Sequence, residues 1–204
     1  HNDMKRDNLN ANLNYRYAKT GGAELNLDAD YGIFKIRSNQ YQPNYYYLAN
    51  GTTETSRAIY NMIAPTDINL YSVKADYETN YKGGRLGIGG KIGVVESDND
   101  FQRYDVFNNG KVLDTLKSNR FKYKENINAL YVNYNKQFKK GFMIQAGIRA
   151  ENTNSDGNST GFKQVSHVMQ PYDSTFSRDY TNLFPSAAFT LNKNPMKQWT
   201  FSYS

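Results

Sequence analysis

Four groupings in the sequence have residue types that could do chemistry. The run Gly87-Ile88-Gly89-Gly90-Lys91-Ile92-Gly93 has the glycine density of a phosphate-cradling loop. Such a loop needs a glycine five residues before Gly90, where Arg85 stands, and Ser or Thr after the lysine, where Ile92 stands. Small residues on one face of a strand, letting neighbouring side chains approach closely, are the better reading. A serine triad would have to use His167, the internal member of the two histidines. It lies in a polar stretch beside Ser166, and no G-x-S-x-G element exists to present a nucleophile, so an enzyme is not expected. Asp98-Asn99-Asp100 and Asp156-Gly157-Asn158 resemble pieces of calcium loops. Neither is followed at the right spacing by the closing glutamate, which favours solvated turns; no metal and no cofactor is expected. Tyr41, Tyr45, Tyr46, Tyr47 and Tyr60 crowd one polar stretch. They could stack on a sugar or an aromatic chelator, or form an interfacial girdle or loop-to-loop packing.

The elements that position these residues are read from a hairpin, Ile68 to Val95. In its first arm Tyr71, Val73, Ala75 and Tyr77 alternate with Ser72, Lys74, Asp76 and Glu78. In its second arm Leu86, Ile88, Ile92 and Val94 alternate with Gly87, Gly89, Lys91 and Gly93. Period two marks strands with one apolar and one polar face. The apolar positions are odd in one arm and even in the other, so paired numbers must sum to an odd value. A turn at Gly83-Gly84 supplies positive φ and sets Asp76 opposite Lys91 and Tyr77 opposite Gly90. A turn at Lys82-Gly83 satisfies the same parity. Lys74, Asp76, Glu78, Lys91, Arg149 and Glu151 all fall on the face opposite the apolar one.

Similar alternation predicts strands from Asn8 to Lys19 and from Ala23 to about Arg37. Others are predicted from about Phe121, from Phe142 to about Glu151, from Thr181 to Asn192 and around Trp199 to Tyr203. In the strand from Phe121 the apolar face changes: Phe121, Tyr123, Ile127, Ala129 and Tyr131, then Val132, Tyr134 and Phe138. That suggests a bulge near Leu130, or an end ringed by aromatics on both sides. Connections alternate between tight Gly- or Pro-bearing turns and loops of more than ~20 residues, such as Ser38 to Thr66 and Asn152 to about Asp179. Asn109-Gly110 is a candidate small hairpin inside the second long loop.

The expected fold is all-β: an antiparallel up-and-down meander of about eight long strands, part of a larger transmembrane β-barrel. Short turns at one end and long loops at the other are the asymmetry of outer-membrane barrels. The chain has 204 residues, no cysteine, and 18 Tyr and 11 Phe against one Trp. Disulfides and thiolate sites are therefore excluded. Mean hydropathy is −0.81. That value does not separate a barrel, whose lumen and loops are polar, from a soluble β-sandwich or lipocalin-like binder. Net charge is +6, but the basic residues are scattered, so no nucleic-acid partner is expected. The first residue is not methionine and no signal peptide opens the chain, so further residues are expected before His1. An unclosed eight-stranded sheet would have two open edges that invite strand pairing or dimerisation of a soluble fragment.

Three stretches carry a resemblance: NLYSVKADYETNYKGGRLGIGGKI (Asn69 to Ile92), QAGIRAEN (Gln145 to Asn152) and YTNLFPSAAFTL (Tyr180 to Leu191). With the F-x-Y-x-E-x-I-x-A-x-Y strand start from Phe121 to Tyr131, they resemble the carboxy-terminal barrel of TonB-dependent outer-membrane receptors. The nearest resemblance is to outer-membrane β-barrel family proteins, and it covers nearly the whole chain. It implies residence in the Gram-negative outer membrane, with lipid around a barrel of ~22 strands. It implies a plug domain of the same receptor, an inner-membrane energising complex and import of a ligand it does not identify. Residues 1–204 are expected to be one region of barrel, without the plug. Lys74, Asp76, Glu78, Lys91, Arg149 and Glu151 would then face the lumen. A structural or adhesive barrel is the alternative from a different class.

Overall fold

The computed structural model describes residues 2–204 except 109, 195 and 196. Nine strands form one antiparallel sheet. They are β1 (Asn2–Ala18), β2 (Glu24–Tyr47), β3 (Glu54–Tyr81), β4 (Gly84–Phe107), β5 (Gly110–Leu113), β6 (Asn119–Phe138), β7 (Phe142–Val165), β8 (Val168–Asn194) and β9 (Lys197–Tyr203). The order is the chain order, with the short β5 pairing only β4. The expected meander is present, and β5 is the strand beyond the predicted eight. β5 closes a small hairpin through Phe107↔Gly110; Asn109 lies outside the described residues, as do Pro195 and Met196 in the last turn.

Among the described residues no second layer packs on either face of this sheet. Among the described residues Ala129, 3% exposed, is the sole buried apolar side chain. Val73, Ile92 and Ile148, which a two-layer sandwich would bury, are 59%, 57% and 45% exposed. The sandwich and lipocalin alternatives therefore fail. An exposed apolar band of this size on one face needs hydrocarbon against it.

The central hairpin turns at Lys82-Gly83, not at the preferred Gly83-Gly84. Tyr81 pairs Gly84, and Lys82 and Gly83 take φ of 47° and 75°. A two-residue type I′ turn needs both central residues in that region. Gly84 stays in the strand, where a Cβ would come within 2.5 Å of the Asn135 carbonyl and the Tyr134 hydroxyl. The register is consequently two residues from the expected one: Lys74 faces Lys91, and Asp76 faces Gly89.

The predicted long loops are mostly strand. β2 runs to Tyr47 and β3 resumes at Glu54; β7 and β8 meet at a two-residue turn, Ser166-His167, both at positive φ. His167 and Ser166 are thus hairpin-tip residues, and the two supposed calcium-loop fragments lie within β4 and β7. The sequence disguised these extensions because the faces exchange polarity along strands such as β3 and β6. On the side that carries Tyr71 and Val73, the continuation of the strands is charged. There Arg120 makes two hydrogen bonds to Asp98 at 2.8 and 2.6 Å, and Lys124 meets Glu96 at 2.8 Å. The Arg120 hydrogen bond holds the Asp98 carboxyl below its usual range. Arg37 and Asp67 approach to 2.7 Å, although that Asp67 oxygen makes no hydrogen bond. On the other side the continuation is aromatic: Tyr123 has Phe121 at 6.4 Å and Phe176 at 6.5 Å between ring centroids.

The same exchange explains β6. Its register is unbroken from Arg85↔Asn135 to Phe101↔Asn119, so the expected bulge near Leu130 is absent. Phe121 to Tyr131 and Val132 to Phe138 look to opposite faces because they lie at different heights.

The band slants. Following the pairings from Leu9, where the apolar run of β1 begins, six strands across to β8 leads to Ser177. The apolar run of β8 begins at Leu183, six residues further down. Six residues of ~3.3 Å against six steps of ~4.8 Å incline the strands to the band by roughly 35°. That is the tilt of membrane barrels. On β3 the band occupies Tyr71 to Tyr81, eleven residues that rise ~30 Å at this tilt, the thickness of a hydrocarbon core. Aromatic pairs rim it, Tyr31–Tyr71 at 5.1 Å above and Phe142–Phe189 at 4.3 Å below.

The band has a sharp consequence on β6. Leu130→Arg, inside it, should cost ~2–4 kcal/mol in denaturant unfolding from lipid vesicles. Lys122→Ala, eight residues away on the same face but above it, should stay within about 0.5 kcal/mol. Equal costs would contradict the assigned level.

Candidate functional site

Opposite the band the strands carry a network of ions. The pairings Asn26↔Asp76↔Gly89↔Tyr131↔Arg149 form one row across five strands. Gly89 has no side chain, so Tyr131 reaches over β4 and donates from its hydroxyl to Asp76 on β3 at 2.5 Å. Lys74 meets the other Asp76 oxygen at 2.6 Å. Arg149 sits 5.5 Å from the Tyr131 ring and donates to Glu151 at 2.7 Å. Nearer the short turns, Arg85 bridges Glu78 at 2.5 Å and Glu24 at 3.3 Å, and Arg16 joins Glu24 at 2.8 Å.

Five of the six charged residues picked out from the sequence therefore enter these networks, in two groups. Lys74, Asp76, Arg149 and Glu151 gather around Tyr131, and Glu78 belongs to the Arg85 group. Lys91 stands across from Lys74. Tyr131, Arg85, Glu24 and Arg16 were missed. Tyr131 was legible only with the correct register, since the clue is a tyrosine directly opposite a strand glycine.

The five tyrosines do not form one platform. Strand alternation puts Tyr41 and Tyr45 on the band side of β2 and Tyr46 on the other, with a register shift at Tyr46/Tyr47. Tyr60 of β3 shares the non-band face with Arg103 of β4, whose guanidinium centre lies 3.8 Å from the Tyr60 ring centroid. Beyond the pair Tyr60↔Asp105, β3 and β4 part company, while β3 stays paired to β2 and β4 to β5. A cleft of about 940 Å³ opens there, lined by Tyr41, Arg57, Tyr60, Arg103, Asp105 and Lys117 among others. Its floor is fixed by the β4–β6 connection: Arg103 N–H donates to the Ser118 hydroxyl, and Asp114 N–H to the Arg103 carbonyl. Burial alone would raise the Asp114 carboxyl, but the Lys117 hydrogen bond and the nearby Lys117 and Arg103 charges hold it below the usual range.

The family model that matches residues 5–204 is described as the outer membrane protein beta-barrel family. The chain belongs to that family. Its barrel overlays the ferric yersiniabactin uptake receptor FyuA from Yersinia pestis with a TM-score of 0.62 at 11% identity, over 94% of this chain and 27% of that one. The siderophore receptor PiuA from Acinetobacter baumannii gives 0.56 at 12% identity, over 94% and 31%. The ferric-catecholate import receptor Fiu from E. coli K12, in its closed form, gives 0.53 at 13% identity, over 95% and 32%. The chain thus spans roughly a quarter to a third of these receptors. A comparison of the sequence with curated proteins gave no match. The resemblance to the barrel of TonB-dependent receptors holds at the level of fold, and the barrel resides in the outer membrane of Gram-negative cells. The apolar band is accordingly its lipid face.

The Tyr131 bridge predicts unequal glycines in this barrel. A Cβ on Gly89 would stand 2.5 Å from the Tyr131 ring and 2.6 Å from Asp76, whereas on Gly87 the nearest atom is 3.6 Å away. Gly89→Ala should cost about 1–3 kcal/mol in unfolding measurements, through overpacking. Gly87→Ala should be near neutral, and the reverse order would rule out the bridge.

Proposed function

We propose that the chain is barrel wall from a TonB-dependent receptor, which captures a ligand outside the cell and imports it across the outer membrane. The observation that supports this most is the charge on the face behind the lipid band. Nine ionisable side chains from β1 to β7 there make ion pairs or hydrogen bonds with one another. A narrow barrel filled by its own side chains favours a dry interior. A wide one, holding water and a polar plug, gives such a network its solvent and partners. On this reading Lys74, Asp76, Glu78, Lys91, Arg149 and Glu151 face the lumen and hold the plug domain of the same receptor. Strand tips that stand well above the bilayer form the vestibule where Tyr41, Tyr45, Tyr46, Tyr47 and Tyr60 lie. An inner-membrane complex supplies energy through the plug.

The test is genetic. Cells lacking the whole receptor should lose growth on at least one limiting nutrient, and cells lacking the inner-membrane energising complex should lose the same growth. Growth that depends on the barrel but not on that complex would point to a passive or adhesive barrel instead.

A further inference from the structure

The cleft at the tips of β3 and β4 has a chemistry of its own. Arg103 is its centre. The guanidinium lies against the Tyr60 ring, and the side chain is only 20% exposed. Its Nε is buried and, among the described residues, has no hydrogen-bond partner. The nearest carboxylate, Asp105, is 3.7 Å away, too far for a hydrogen bond. A buried guanidinium N–H without an acceptor is costly to keep. The other cations at the rim already have carboxylates: Arg57 meets Glu54 at 2.8 Å, and Lys117 meets Asp114 at 3.0 Å. Among the described residues Arg103 is thus the rim cation whose carboxylate, Asp105, stands beyond hydrogen-bond distance, while its Nε has no acceptor.

The geometry points to an anion site. A small soluble ligand bearing carboxylate or phosphate oxygens would accept from Arg103, with Arg57 and Lys117 adding to the positive potential of the cleft. Two features preorganise the site. Tyr60 fixes the plane of the guanidinium by stacking. The bonds from the β4–β6 connection fix the Arg103 backbone, so little ordering is left for the ligand to bring about. The cleft is large enough for a ligand of drug size rather than a bare ion. The site deepens the receptor reading by naming the ligand's charge, and rests on that reading only for import after capture.

The experiment is titration calorimetry of the whole detergent-solubilised barrel protein with citrate and, separately, inorganic pyrophosphate. Glycerol and spermidine serve as the neutral and cationic controls. Saturable binding of at least one anion is expected, with neither control binding. Arg103→Gln should weaken it roughly 10- to 100-fold, the loss of one or two charge-assisted hydrogen bonds. Arg103→Lys keeps the charge but not the fork and should fall between, which also covers a glutamine variant that does not fold. Lys163→Gln, on another strand, should leave binding unchanged and so excludes a mere effect of net charge. No anion binding by the folded wild type, or undiminished binding by both Arg103 variants, overturns the site. Binding without import would leave the site standing and end the receptor reading; import without anion binding would do the reverse.

Discussion

Everything in this barrel depends on where hydrocarbon stops. The sheet has no second layer and almost no interior of its own, so its backbone polar groups are satisfied laterally, strand to strand. Its apolar side chains are satisfied only by what lies outside. Within a height of ~30 Å one face is apolar and the other ionic. Above that height the assignment reverses: Lys124, Glu96, Arg120 and Asp98 occupy the face that was apolar, and Tyr123 and Phe176 the face that was ionic. A charge in the first zone costs kilocalories, whereas the same charge in the second is solvated. One boundary, set by the solvent, thus accounts for the change of polarity along β3 and β6.

That boundary also decides how much could be read from the sequence. Strand-by-strand alternation was clear inside the band, and the strands, their order and the membrane setting were legible from it. Above the band alternation continues, but with its phase shifted by one residue and with Asn, Ser, Asp and Gly, poor strand formers alone, held by their neighbours. Without coordinates the stretches Ser38 to Thr66 and Asn152 to Asp179 resemble loops, and the phase change in β6 resembles a bulge. Parity alone could not place the central turn, because two candidate turns share it. In the structure the turn is Lys82-Gly83, and Gly84 stays in the strand beside Tyr134, a residue of a strand some fifty positions away. The polar face shows the same division. Its charges were identifiable by parity, but Tyr131 as their hub needed the register.

The two faces divide the labour of an outer-membrane barrel wall. The band anchors the strands at a fixed tilt and height. The ionic rows behind it, tied through Tyr131 and Arg85, give a polar surface. The strands then continue beyond the band, and where β3 and β4 separate they leave a cleft in which Arg103 lies against Tyr60. Position, polarity and donor geometry thus come from one sequence pattern set against two solvents.

The central claim is the level and slant of the lipid boundary. These 204 residues contain no cysteine, so single-cysteine variants within them add the one thiol of this stretch and make the boundary directly measurable. Spin labels placed singly along β3 and β8 of the lipid-embedded barrel should be quenched by oxygen, and not by a water-soluble relaxant, at Val73 and Ala75 and at Pro185 and Ala187. At Asp67 and at Ser177 the order should reverse, with the β8 boundary six residues below the place its pairing to β1 would give. Oxygen quenching on the Asp76 face, or the same profile at Asp67 as at Val73, would contradict the account.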